Sequence, residues 1–273
     1  MKRLKMKIIN NFSVLVLGVV SLQMASCKKE KFNVELTKEF EMYSNSSHAN
    51  YKIRLGLPED YKAENKYATV YILDGERDFA YVANQCKDIS SKKGIQNVIV
   101  VGIGYGNDRS VDYTPTKANE GCGGAEQFMN FIQNELIPKI EQDYSADTHR
   151  AARVILGHSF AGLLAAYAFT RYNNVFGNYL ILSPSLWYDN EVLLKYEQDS
   201  RPTNATQPQL VFMGIGQLEN AGRMQVPFEA FYQKLNSNYP NIKITRNVER
   251  DLEHMGSKAP NIKNALNFYF NNR

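Results

Sequence analysis

Stretches of apolar residues alternate along most of the chain with segments whose apolar residues recur at helical spacing. Strands are predicted at 34–43, 51–57, 67–73, 98–103, 154–156, 178–182, 209–215 and 242–248, and helices at 78–90, 125–144, 163–169, 185–197, 226–235 and 258–270. This alternation predicts an α/β fold with a mostly parallel central sheet, helices on both faces and an antiparallel edge formed by the first hairpin. The short segment between residues 182 and 209 leaves no room for a large lid.

A serine stands where one of these strands meets the following helix. The segment Gly157-His158-Ser159-Phe160-Ala161 nearly matches the G-x-S-x-G motif, with Ala161 in place of the last glycine. Small flanking residues are needed because the backbone turns sharply and passes close to itself. The turn presents the serine hydroxyl at a helix N-terminus, where the helix dipole and free N–H groups stabilise developing negative charge. Ser159 is therefore predicted to be a catalytic nucleophile rather than an ordinary helix cap.

A serine nucleophile needs a histidine as its base, and the chain contains four. His48 lies in the first hairpin turn, His149 lies at the wrong end of the sheet, and the side chain of His158 should point away from the serine hydroxyl. His254 lies in a loop after the last strand, where the chain order serine, acid, histidine places the base in α/β-hydrolases. His254 is therefore predicted to be the general base.

The acid that orients this base is expected after the strand at 209–215. Glu219 is the carboxylate in that loop, and it is the predicted acid, although it could instead be a solvated residue or interact with a helix dipole. Glu249, Asp251 and Glu253 lie close to His254 in sequence and remain alternatives.

An oxyanion hole requires two backbone N–H groups that point at the developing negative oxygen. Phe160, the residue after the nucleophile, is expected to supply one of them. The second is expected from the turn Asp74-Gly75-Glu76, where glycine would allow the backbone to approach the substrate, and Glu76 is the favoured donor.

Several segments together resemble the bacterial esterase-D-like family. They are Val70-Tyr71-Ile72-Leu73-Asp74-Gly75, Val101-Gly102-Ile103-Gly104-Tyr105, Asp112-Tyr113-Thr114-Pro115, Gly157-His158-Ser159-Phe160-Ala161-Gly162 and Ser183-Pro184-Ser185-Leu186-Trp187. That family includes periplasmic siderophore esterases that open catecholate trilactones such as enterobactin, and it is related to feruloyl esterases. The resemblance covers Val34 to the C-terminus and implies an α/β-hydrolase fold and carboxylic ester hydrolysis, with Ser159 and His254 in the catalytic positions. The family usually has glycine where this chain has Ala161, and some of its siderophore esterases have a weakly placed or dispensable acid.

Candidate substrate contacts follow from residue chemistry. Arg77 and Arg109 could bind an anionic catecholate or carboxylate, and Trp187 with Tyr188 could stack on an aromatic acyl group; ordinary loop packing is an equal alternative for all four. The expected substrate is a bulky small-molecule or oligosaccharide ester. A catecholate siderophore lactone is favoured, and a feruloyl or acetyl ester of plant polysaccharide, an acyltransferase activity and a non-catalytic binding lipoprotein are alternatives.

The N-terminus is predicted to be a lipoprotein signal peptide over residues 1–26. A basic segment precedes a short apolar stretch, and Met24-Ala25-Ser26-Cys27 resembles a bacterial lipobox, whose cysteine is lipid-modified. A solvated tether at 27–33 and a catalytic domain at 34–273 would follow. The protein is expected in the cell envelope, at the outer membrane facing the periplasm or the surface, with membrane contact through the lipid on Cys27 alone.

Composition excludes other partners. The formal charge of +4 comes from four basic residues of the leader, and the remaining 28 basic residues balance 28 acidic ones, so no basic stripe indicates nucleic acid. The histidines and cysteines lack metal-ligand spacing, and Gly102-x-Gly104-x-Gly106 leads into a polar loop instead of a helix, so neither a metal nor any other cofactor is expected. Cys86 and Cys122 are expected to be structural or free.

Overall fold

A computed structural model describes residues 37–118 and 121–273. Its strands are β1 (Thr37–Tyr43), β2 (Asn50–Gly56), β3 (Thr69–Ile72), β4 (Ile99–Ile103), β5 (Arg153–His158), β6 (Asn178–Leu182), β7 (Gln209–Gly216) and β8 (Ile242–Glu249). Its α-helices are α1 (Gly75–Lys93), α2 (Arg109–Asp112), α3 (Ala125–Phe131), α4 (Ile137–Asp143), α5 (Phe160–Arg171), α6 (Tyr188–Asn204), α7 (Val226–Asn238) and α8 (Lys258–Asn272). The predicted signal peptide, Cys27, the tether and the first residues of the predicted domain lie outside these ranges.

The strands form one sheet in the order β1-β2-β4-β3-β5-β6-β7-β8. The first hairpin pairs antiparallel and meets β4 antiparallel, while every pair from β4 to β8 is parallel. The predicted mostly parallel sheet with an antiparallel edge is therefore confirmed. Because the parallel strands run in one direction, the loops that follow β3 to β8 all emerge at the same edge of the sheet.

The sheet separates two apolar layers, and the alternation of side chains along β3 shows how. Val70 and Ile72 pack with residues of α1 and α8, while Tyr71 between them packs on the opposite face with residues of α3 to α7. Both faces are buried, which explains why this strand reads as a continuous apolar run. Helices cover both faces, as predicted.

The helix predicted over 125–144 is divided into α3 and α4. A wider turn of π type spans Ile132–Leu136 and carries the chain from one helix to the other. Pro138 stands in the first turn of α4, and the backbone stays helical on both sides of the wider turn before it. The π-type turn therefore accommodates a proline within one continuous helical path.

Three other helices differ from the sequence prediction at their N-termini, and one of them is α5, which begins at Phe160 instead of Leu163. α1 begins at Gly75, after a two-residue turn, instead of at Asp78. A Cβ on Gly75 would lie 2.5 Å from the backbone carbon of Gly102, so this glycine allows α1 to pack against β4. α6 begins at Tyr188 instead of Ser185 and continues to Asn204, and its first turn contains three left-handed residues, Asp189 to Glu191.

The two cysteines outside the leader are free thiols. Cys86 lies on the buried face of α1, where burial raises the pKa of its thiol, and Cys122 is exposed. Over residues 37–118 and 121–273, no helix has the length and apolar character needed to cross a bilayer.

Candidate active site

Ser159 occupies the turn between β5 and α5 in a strained backbone conformation. Its φ of 64° and ψ of −121° lie in a region that costs a non-glycine residue about 1–3 kcal/mol. Neighbouring backbone holds it there: its N–H donates to the carbonyl oxygen of Leu182 at 3.0 Å, and its own carbonyl accepts from the N–H of Ser185 at 3.2 Å. The end of β6 therefore fixes the turn that carries the serine.

The glycines around Ser159 are required by close backbone contacts. A Cβ on Gly157 would lie 2.2 Å from the carbonyl oxygen of Ala161, and a Cβ on Gly162 would lie 2.6 Å from that of Leu182. Ala161, which replaces the usual last glycine of the motif, is fully buried. After the serine, the backbone therefore has no room for a side chain at Gly162, whereas it accommodates the methyl group of Ala161.

The structure brings Glu219 and His254 together. The Nδ1 of His254 lies 2.7 Å from the Oε2 of Glu219. Glu219 follows β7 and His254 follows β8, and these strands are neighbours in the sheet. The alternative acids are elsewhere: Asp251 and Glu253 are exposed, and the carboxylate of Glu249 accepts hydrogen bonds from asparagine side chains.

The carboxylate of Glu219 is buried and fully hydrogen-bonded. Besides His254 on Oε2, its Oε1 accepts from the hydroxyl of Ser183 at 2.6 Å and from the N–H of Gly216 at 2.8 Å. Burial opposes ionisation, but the hydrogen bonds from His254, Ser183 and Gly216 outweigh it, so the pKa of Glu219 lies below its usual value. A charged carboxylate therefore accepts a hydrogen bond from Nδ1 of His254, and in the neutral tautomer this leaves Nε2 as the nitrogen that can accept a proton.

Two helix N-termini flank the serine. α5 begins at Phe160 after β5, and α1 begins at Gly75 after β3, the strand next to β5. The N–H groups of Arg77 and Asp78 donate to the carbonyl of Asp74, whereas the preceding first-turn amides have no acceptor within their own helix. The expected oxyanion donors Phe160 and Glu76 both belong to such first turns. Adjacent helix N-termini favour a negative oxygen between them.

Comparison with known proteins identifies the group to which this site belongs. The model of the Esterase family matches residues 44–253. The chain belongs to the Esterase family. It is therefore a carboxylic ester hydrolase, and the resemblance found in the sequence is confirmed at the family level.

Individual relatives are esterases of siderophores. The esterase is 27% identical over 229 residues to the ferri-bacillibactin esterase BesA of Bacillus subtilis. This alignment covers 75% of this chain and 78% of BesA. It is 30% identical over 136 residues, 46% of each chain, to a siderophore triacetylfusarinine C esterase of Aspergillus fumigatus. The crystal structure of the BES protein from Bacillus cereus matches with a TM-score of 0.78 at 26% identity, covering 89% of this chain and 97% of that one.

Arg109 of the esterase forms an ion pair instead of presenting a free cation. Its Nε and Nη2 donate to the two carboxylate oxygens of Asp74 at 2.7 and 2.8 Å, and Nη2 also lies 3.4 Å from the carbonyl oxygen of His158. The N–H of Asp74 donates to the hydroxyl of Tyr113. Arg109 therefore links the turn after β3 to the end of β5. Its charge is already balanced by a bidentate partner.

The other predicted substrate contacts differ in exposure. Arg77 is exposed, with its guanidinium carbon 5.8 Å from the centre of the Tyr105 ring. Trp187 is half-buried and its ring centre lies 6.3 Å from that of Phe160. Tyr188 is fully buried, and its hydroxyl lies within hydrogen-bond distance of two carbonyl oxygens in the loop after α2. Tyr188 therefore anchors that loop, so the suggestion that it stacks on a substrate is wrong.

His158, which the sequence argument set aside, contacts the loop of the predicted base. Its Nε2 lies 2.9 Å from the carbonyl oxygen of His254, and the two rings are 4.5 Å apart between centres. A carbonyl can only accept, so Nε2 must carry the hydrogen. Burial, followed by the nearby His254, lowers the pKa of His158 to about 3, and its ring stays neutral at physiological pH.

Ser183, His158 and Arg223 join the site without having been predicted as site residues. The first two stand at the ends of β6 and β5, next to the turn of Ser159. Arg223 lies in a π-type turn, Ala221–Gln225, shortly after Glu219, and its guanidinium carbon is 3.7 Å from the centre of the Trp187 ring. Position at a strand end was a usable signal for the first two, but nothing in the sequence indicated the contact of Arg223. Within the described residues, no group of acidic, histidine or cysteine side chains is arranged to hold a metal ion.

We expect His158 to make the protein less stable in mild acid. Above pH 6.5 the ring is neutral in both the folded and the unfolded chain. Below pH 6.5 the unfolded chain takes up a proton that the folded chain refuses until about pH 3, so stability is lost as the pH falls through this window. The loss approaches about 1.4 kcal/mol per pH unit. His158→Gln should reduce this slope in urea unfolding at pH 7, 5.5 and 4.5.

The matched control is His48→Asn, because His48 is exposed in the first hairpin turn and asparagine tolerates its left-handed backbone conformation. It should retain the slope of the parent protein. An unchanged slope in His158→Gln would contradict the assignment of a neutral, buried ring.

Proposed function

We propose that this esterase hydrolyses a bulky ester through an acyl-enzyme on Ser159, and that its substrate is a catecholate siderophore lactone. The observation that carries the mechanism is the 2.7 Å contact between Glu219 and His254 at neighbouring strand ends, beside the strained turn of Ser159. A buried, ionised acid that holds a histidine next to a half-buried serine turn is the arrangement of serine hydrolases.

In the proposed reaction, His254 takes the hydroxyl proton as the Oγ of Ser159 attacks the ester carbonyl carbon. The carbonyl oxygen becomes negative and is stabilised by the N–H groups of Phe160 and Glu76. The tetrahedral intermediate collapses, the bond to the leaving oxygen breaks, and His254 protonates the leaving alcohol. Water then attacks the acyl-enzyme with His254 again as base, which releases the acid and restores Ser159.

Three observations support a bulky aromatic ester as the substrate. The relatives include a ferri-bacillibactin esterase, matched over 75% of this chain, and a siderophore triacetylfusarinine C esterase, matched over 46%. The aromatic rings of Phe160 and Trp187 lie next to the serine turn and offer apolar faces to an aryl group. The segment between β6 and β7 contains α6 and no large lid, which is consistent with a cleft open to a large molecule. Arg77, at the same end of the sheet, is proposed as a further contact.

We also propose that the protein is a lipoprotein of the cell envelope, anchored through Cys27. The support is the leader sequence, which lies outside the described residues. Such an anchor would hold the enzyme where an imported siderophore passes.

Ser159→Ala is expected to lower kcat for a short p-nitrophenyl ester by about a thousandfold or more, because the acyl-enzyme cannot form. The parent protein should form a covalent adduct with a fluorophosphonate, located on Ser159 by peptide mass spectrometry. Ser200→Ala on α6 is the control and should retain full activity, since its hydroxyl bonds to a carbonyl of its own helix. Full turnover in Ser159→Ala would refute the nucleophile, and failure to label Ser159 would favour a binding protein.

Glu219→Gln tests whether the acid is needed. An amide keeps the shape but loses the charge that stabilises protonated His254, so kcat should fall by more than about tenfold, or about 1.4 kcal/mol in the barrier. Circular dichroism and urea unfolding would show that the variant remains folded. A smaller fall would indicate that Ser159 and His254 act as a dyad.

The substrate is tested by kcat/KM on an enterobactin-type trilactone, methyl ferulate and acetylated xylan, measured in parallel with the same preparation. We expect the trilactone to be the best substrate because it combines aromatic arms with a strained set of esters. A higher kcat/KM on methyl ferulate or on acetylated xylan would replace the siderophore with a plant polysaccharide ester.

A further inference from the structure

We propose that Arg223, stacked on Trp187, binds an anionic group carried by an aromatic arm of the substrate. The inference rests on the proposed function, because it assigns the site a preference between charged and neutral aromatic esters. Neither residue has a role in the hydrolytic steps above.

The stacked pair adjoins the catalytic turn. Phe160, which directly follows Ser159, has its ring centre 6.3 Å from that of Trp187. The guanidinium carbon of Arg223 lies 3.7 Å from the centre of the Trp187 ring, which is within stacking distance. Phe160, Trp187 and Arg223 thus form a continuous row that starts at the serine turn, and we call this row the aromatic–cationic row.

The backbone of Arg223 is held in place independently of any ligand. Its N–H donates to the side-chain oxygen of Asn220 at 2.8 Å, which caps the turn Ala221–Gln225. Glu219, the buried acid, immediately precedes Asn220. The position of Arg223 is therefore tied to the same loop that orients His254.

The charge of Arg223 is not balanced by a neighbour in the described part of the chain. Arg223 is exposed, and none of the ion pairs found there includes it. Arg109 provides the contrast, since its guanidinium is committed to both oxygens of Asp74. Of the two arginines, Arg223 is the one with a charge left for a substrate.

Stacking determines which part of the guanidinium remains open. The guanidinium lies over the indole ring at 3.7 Å, and a planar guanidinium whose face meets a ring keeps the N–H groups at its edge available to a carboxylate or phenolate. An aryl arm bearing such an anion could contact the aromatic rings of the row while its charge meets Arg223. The geometry therefore fits an ionised aryl acid or catecholate better than a neutral alkyl chain.

The activity test uses two matched aryl esters, p-nitrophenyl benzoate and mono-p-nitrophenyl isophthalate, which differ by one carboxylate. Arg223→Gln should lower kcat/KM for the isophthalate about tenfold more than for the benzoate, as expected for loss of one charged hydrogen bond. The loss should lie mainly in KM, and Arg223→Lys should recover part of it. In the parent protein, KM for the isophthalate should rise with ionic strength more steeply than in Arg223→Gln.

The matched control is Arg171→Gln. Arg171 also lies on an aromatic ring, with its guanidinium carbon 4.2 Å from the centre of Tyr196, but it stands at the opposite end of α5 from the serine. It should leave the ratio of the two esters unchanged. Equal losses on both esters in Arg223→Gln, or no loss on either, would overturn the proposal.

A binding test separates this proposal from the proposed function. Trp187 is the one tryptophan of the chain, so tryptophan fluorescence reports directly on the row. Benzoate should change this fluorescence at lower concentration than the neutral benzamide, and Arg223→Gln should remove the difference. Absence of ester hydrolysis together with this difference would refute the proposed function alone. If both esters are hydrolysed but the benzoate anion binds no more tightly than benzamide in the fluorescence test, the role of Arg223 alone is refuted.

Discussion

The arrangement of the site depends on the hydrogen bonds that the buried carboxylate of Glu219 accepts. An unpaired charge in that position would cost several kcal/mol, so donors must converge on it. They come from the ends of three neighbouring strands: Ser183 after β6, Gly216 at the end of β7 and His254 after β8. The hydrogen bonds to this one charge thus join three loops and orient the ring of His254, the proposed base.

The serine side of the site depends on a second constraint, the strained turn between β5 and α5. Ser159 stays in this conformation because the end of β6 holds its backbone and because glycines on both sides let the chain pass at close range. Arg109 extends the support to the turn after β3 through Asp74. The turn that carries Ser159 and the first-turn amides of α1 are therefore held relative to one another, as a preorganised site requires.

Much of the fold was predictable because buried strands and helices have characteristic patterns of apolar residues in the sequence. Strands such as β3 and β4 are apolar on both faces, and helices show their periodicity whatever they pack against. Errors occurred where a tertiary contact decided a boundary. The helix over 125–144 divides at a wider turn before Pro138, and α1 starts at Gly75 because that glycine packs on the backbone of Gly102.

The fold class, the strand-to-helix turn of Ser159 and the candidate base and acid could be predicted from the sequence, because short motifs and chain order are local properties. Four contacts required the folded structure: His254 with Glu219, Arg109 with Asp74, His158 with the backbone of His254, and Arg223 with Trp187. These contacts join residues from different loops, and their partners are set by strand order in the sheet and by the packing of loops at its edge. Neither the strand order nor the loop packing can be predicted from the residue pattern of a single segment.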